Sequence, residues 1–78
     1  MRETPLCDMK KGEYVMIKRL AAENTLRRRL EDMGFIEGTK VRCVRISPAK
    51  DPKAFLVRGA VIALRNEDSK TILGVKLP

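Results

Sequence analysis

A chain of 78 residues can hold one small domain with a single core, so a second domain is excluded. An apolar share of 44% comes in short clusters, with no run of about 18 apolar residues that could span a bilayer. Seventeen Lys and Arg against ten Asp and Glu give a net charge of +7, which favours an acidic counterpart: nucleic acid, a membrane surface or an acidic protein face.

The first eleven residues mix charges of both signs and lack an apolar stretch after a basic start, so export is not expected. EYVMIKRL, residues 13 to 20, follows a turn at Lys11-Gly12 and suits a pleat. Residues 23 to 33, ENTLRRRLEDM, place Leu26, Leu30 and Met33 on one stripe, which predicts the one substantial α-helix. Asn24 is the expected cap. Gly34, just past the end, can take the left-handed conformation and let Phe35 fold back onto Leu30. Glu23, Arg27 and Glu31, and Arg28 with Asp32, are spaced one turn apart, so much of the arginine run is locally balanced.

TKVRCVRIS, residues 39 to 47, follows a turn at Glu37-Gly38, and its apolar phase slips: Val41 and Cys43 share one face, Val44 and Ile46 the other. A bulge at Cys43-Val44 would reconcile them. SPAKDPK is a loop. AFLVRG and AVIALRN form a hairpin around Gly59, and NEDSKTI reads as a short helical turn near 67–71 with Asn66 as its cap. LGVKL closes the chain with Leu73, Val75 and Leu77 on one face. About five strands and one helix in so short a chain predict a mainly β fold, a small antiparallel barrel of the SH3-like kind.

Chemistry of the usual kinds has little to stand on. There is no histidine, no CxxC and no run of carboxylates at ligand spacing, so no metal site is predicted. Cys7 and Cys43 lack a base to activate them, so no catalytic residue is predicted either, nor a bound cofactor; a structural disulfide between them is not expected.

Several spaced elements, in order, carry a family likeness: PLCDMKKGE, RRLEDMGFIEGTKVRCVR, SPAKDP and VRGAVIALRNEDSKTILGV. Over nearly its whole length, 1–78 as a single domain, the chain resembles the FeoA family of small cytoplasmic proteins of bacterial ferrous iron transport, and the related SH3-like domain at the C-terminus of iron-dependent repressors. With Met1 first and no winged helix upstream, the free-standing transport protein is the favoured member. The resemblance implies a non-catalytic accessory or regulatory role through association with the membrane iron transporter that carries a cytoplasmic GTPase domain, the FeoB type. Any iron specificity would then lie in that partner.

Most of the shared residues are explained by the fold. What remains is polar, and Arg29, Arg42 and Arg45 are the predicted partner-binding residues, on the expectation that the strand after Gly38 lies beside the helix. The alternative is a small basic nucleic-acid-binding barrel, which would need exposed aromatics for stacking. Phe35 and Phe55 sit at core positions, so only Tyr14 is available to it. Self-association is compatible with the sequence.

Overall fold

The computed structural model describes residues 2–78. Six strands form one antiparallel sheet: β1 (Thr4–Pro5), β2 (Tyr14–Leu20), β3 (Lys40–Ile46), β4 (Lys53–Val57), β5 (Ala60–Leu64) and β6 (Ile72–Lys76). Their spatial order is β1-β6-β2-β3-β4-β5. The fold is therefore the expected mainly β arrangement with one strand more than expected, the short β1. One helix, α1 (Asn24–Asp32), joins β2 to β3, and a single turn, α2 (Asn66–Ser69), joins β5 to β6.

The sheet curls without closing, because β1 and β5 are not paired to one another. Other groups close the seam. A 3-10 turn at Leu6–Asp8 packs against α2, and Lys53, at the start of β4, turns its side chain inward. Its ammonium donates to the carbonyl of Met9 at 3.1 Å and to that of Cys7. A lysine bound to two carbonyls thus does what a β1–β5 ladder would do in a closed barrel.

Alternation builds the core. Val15 and Ile17 from β2, Val41 and Cys43 from β3, and Phe55 and Val57 from β4 all point inward and are buried. The predicted slip in β3 is present: Cys43 pairs with Phe55 but Arg45 pairs with Ala54, so Val44 is the extra residue and Ile46 returns to the core side. α1 enters the core through Leu30, with Leu26 and Met33 half-buried beside it. Its C-terminus is tied in the paired pattern expected of a glycine stop. Phe35 N–H donates to Leu30 O at 3.0 Å and Gly34 N–H to Glu31 O at 3.0 Å, with Gly34 at φ 107°. Phe35 is thereby driven into the core, where it meets Phe55 edge to face at 6.5 Å.

Two local expectations, both of them caps, are corrected, and a third is completed. Asn24 does not cap α1: Glu23 occupies that place with no side-chain bond, while Asn24 has φ 55°. Asn66 does not cap α2 either, because the acceptor for its N–H is the Asp51 carboxylate, at 2.9 Å, reaching across from the preceding loop. In β6 the inward residues are Ile72 and Gly74, and Leu73 and Val75 face the other way, half-covered. The reason is crowding, since a Cβ at Gly74 would collide with Met16 O and the Val15 side chain of β2.

Candidate functional site

None of the ten carboxylate residues lies in a strand; all are in loops, turns and helices. The strands instead carry Lys18, Arg19, Lys40, Arg42, Arg45, Lys53 and Lys76. The outward face of β2–β5 is therefore cationic by construction.

Register places a continuous row on that face. Tyr14 stands opposite Arg42, Arg42 opposite Leu56, and Leu56 opposite Val61. Tyr14 is 38% and Val61 64% exposed, which makes them the large apolar side chains most open to solvent among the described residues. The Lys40 ammonium and the Arg42 guanidinium both sit 5.4 Å from the centre of the Tyr14 ring. One row further along, past the bulge, Arg45 stands opposite Ala54 and Ala54 opposite Ala63. These small side chains, with Ser47, Pro52 and Lys53, leave a cleft of about 150 Å³.

The cations of this face are not neutralised. Ion pairs among the described residues join Arg19 to Glu3 (3.0 Å), Arg27 to Glu31 (3.3 Å) and Lys76 to Glu13 (3.0 Å), and none involves Lys40, Arg42 or Arg45. Of the helical pairs expected from spacing, Arg27–Glu31 forms, and Arg27 also donates to Leu20 O at 3.2 Å. Arg28 with Asp32 and Glu23 with Arg27 make no such pair.

Of the three arginines singled out in the sequence, Arg42 and Arg45 share the outer face of β3, either side of its bulge. Arg29 is exposed on α1, the element whose Leu30 enters the core, and no hydrogen bond or ion pair links it to the other two. Sequence reasoning missed Lys40, Leu56 and Val61 as members of the surface. Only cross-strand register puts them beside Tyr14, and register is not written in any one strand.

Other features are accounted for by the fold. Asp51, part of the shared loop motif, holds α2 by accepting the Asn66 N–H at 2.9 Å; its own N–H donates to Ser47 Oγ at 3.0 Å. Cys7 and Cys43 are both free, half-buried and buried respectively. Burial pushes both thiols up, with the charge of Asp8 adding to the effect at Cys7, so they remain protonated at neutral pH. Among the described residues no three of His, Cys, Asp or Glu converge, and no helix is long and apolar enough to cross a membrane. A hollow of about 560 Å³ at the β1 edge is open and lined by Arg2, Glu3, Asp8 and Lys76, with charges of both signs.

The family model for the FeoA domain matches residues 4–76. The chain belongs to the FeoA family. Among curated proteins, this FeoA chain is 28% identical over 67 residues to an Fe(2+) transport protein A/Fe(2+) transporter FeoB fusion protein of Porphyromonas gingivalis. That match covers 86% of the chain but 8% of the much longer relative. Among solved structures, a FeoA-like protein of Clostridium acetobutylicum superimposes with a TM-score of 0.91 at 28% identity, covering 100% of this chain and 91% of that one. A zinc complex of FeoA from Stenotrophomonas maltophilia, described as a prokaryotic SH3 domain protein and a candidate ferrous iron transport activating factor, gives 0.78 at 25% identity, over 88% and 86% of the two chains. The SH3-like assignment made from strand count and spacing therefore agrees with the solved relatives.

Proposed function

We propose that this chain is a non-catalytic accessory or regulatory protein of ferrous iron uptake, working on the cytoplasmic side by docking on a FeoB-type transporter. The observation that carries the reading is the Porphyromonas relative, in which a domain like this one is fused to the transporter. A fusion holds two modules at high effective concentration, which is useful when they act on each other. The outer face of β2–β5 supports the same reading. It offers the side chains of Tyr14, Leu56 and Val61 for burial and the cations Lys40, Arg42 and Arg45 for an acidic counterpart. Arg29 is retained as a peripheral contact.

Nucleotide hydrolysis belongs to the partner in this scheme, and the chain contributes surface only. Binding of the purified protein to the full-length transporter and to its isolated cytoplasmic domain, with and without nucleotide, tests it. Saturable binding that weakens with added salt is the expected result. Absence of binding in every one of these forms would end the docking reading, and tight, steeply salt-dependent retention on RNA or DNA would replace it with the nucleic-acid one.

A further inference from the structure

We propose that the open edge of β5 receives an extended acidic segment of a partner protein as an added strand, an inference that rests on the docking reading above and specifies how docking occurs. β5 ends the sheet order, so one side of it has no neighbour. Strand edges in soluble proteins are normally blunted by charge, proline or brevity. This one is AVIAL, five residues with no charge and no proline.

The hairpin geometry shows which groups are free. Val57 pairs with Ala60 across a two-residue turn, Arg58-Gly59, with φ of 50° and 82°. That is the turn with positive φ at both central residues, and it makes Val57 and Ala60 a hydrogen-bonded pair. Alternation then directs the N–H and C=O of Ala60, Ile62 and Leu64 to β4 and those of Val61 and Ala63 to the open side. Among the described residues nothing in the backbone pairs with Val61 or Ala63 on that side. Two donors and two acceptors are thus presented in strand geometry, beside side chains that are themselves exposed.

Charge and shape select the occupant. Arg58 and Arg65, both exposed, bracket the strand, and Arg45 lies across Ala54 from Ala63 on the outer face. No carboxylate stands in β4 or β5; Glu67 and Asp68 lie beyond, on α2. An added strand would send alternate side chains onto the outer face, where one neighbouring Ala63 meets the cleft between Ala54, Pro52 and Arg45. The fitting segment alternates small apolar residues with glutamate or aspartate. A second copy fits less well, because it brings the same +7 charge and would set its Arg65 near the Arg58-Gly59 turn of its mate.

The test reads the edge directly. Backbone amide exchange is followed residue by residue with two probes: the transporter's cytoplasmic domain, and a synthetic peptide of alternating glutamate and valine, with a lysine-valine peptide as control. Val61 and Ala63 should slow by ~10-fold or more with either probe and not with the control. Ala63→Pro should abolish that protection, since it removes an edge donor that β4 does not use. Should the variant fail to fold, the exchange pattern of the unaltered chain still decides. If the transporter domain binds but leaves both amides unprotected, the strand-addition proposal is overturned while docking stands. If that domain does not bind, docking falls and the peptide alone decides: protection at Val61 and Ala63 sustains the edge, and none at millimolar peptide overturns it. Protection of the same amides in the free protein at high concentration, accompanied by dimer formation, would overturn it in favour of self-pairing.

Discussion

Lys53 and Arg42 lie on adjacent strands and carry the same charge, yet they belong to opposite sides of the molecule and face opposite fates. On the inner side, at the seam, the ammonium of Lys53 is consumed by the fold, holding the carbonyls of Cys7 and Met9, and in the adjoining loop the exposed Asp51 is likewise used up in holding the first amide of α2. On the outer face, Lys40 and Arg42 flank an exposed tyrosine and, like Arg45 one row further along, are left without anionic partners. Buried polar groups have to be satisfied within the chain because water cannot reach them, whereas surface cations cost almost nothing to leave free. Substitutions on the inner side should therefore change stability, and those outside should change association.

The largest effect is expected at Lys53. Lys53→Ala removes a buried stem and leaves two carbonyls without their donor, a loss of about 3 kcal/mol, which in so small a domain is a large part of the total. Lys53→Met keeps the stem, so its smaller loss isolates the share due to the bonds. Thermal melts of both variants give the comparison. A Lys53→Ala melt unchanged from the parent would show that the seam does not depend on this residue.

Asp51 comes next. Asp51→Ala removes the acceptor of the Asn66 N–H and should cost about 1 kcal/mol, while Asp51→Asn, which keeps an acceptor oxygen, should recover most of it. Denaturant midpoints of the pair would sink the capping role if the two variants were equally destabilised.

What could be read beforehand follows the same division. The bulge at Val44 was legible because period-two alternation leaves a visible fault when it slips, and the end of α1 because Gly34 and Phe35 complete a local pattern. Lys53 gave a fainter signal, as it continues the inward phase of Phe55 and Val57, but a strand begun at Ala54 overlooks it. The facing of β6 was only half legible: alternation puts Leu73 and Val75 on one face, but only the close passage of β2 reveals that it is the outer one and why Gly74 lies inside. The outer face was half legible: the arginines stood out by charge, but their companions Tyr14, Leu56 and Val61 come together only through pairing across four strands.

Two buried side-chain oxygens, Asn66 Oδ1 and the hydroxyl of Ser69, are exceptions to the pairing of buried polar groups, and Ser69 is the simpler one to test. Its hydroxyl is fully buried and has no hydrogen-bond partner. Ser69→Ala should stabilise by about 1 kcal/mol, raising the melting temperature by roughly 4–8 °C. A fall instead would mean that an internal water satisfies the hydroxyl, which would restore the rule that inner polar groups are paired.

The smallest effect on stability, and the one that most sharpens the contrast, is expected at Arg42 and Arg45. Both are exposed and unpaired, so Arg42→Glu and Arg45→Glu should leave stability within about 0.5 kcal/mol of the parent. Their consequence should fall on binding to the transporter's cytoplasmic domain. Long-range attraction between this face and an acidic patch accelerates encounter, so reversal should slow association and flatten its dependence on salt, with dissociation changed less. Tyr14→Ala should act the other way round, because an aromatic side chain buried at the interface holds the complex together once formed and its loss shows in the dissociation rate. Arg28→Glu, on α1 and outside the proposed surface, is the control, and Arg29→Glu should produce a smaller loss than either strand position. Association kinetics measured at several salt concentrations separate these cases. Equal slowing by Arg28→Glu and Arg42→Glu would mean that net charge alone steers the encounter, and the outer face of the sheet would lose its claim to be the docking surface.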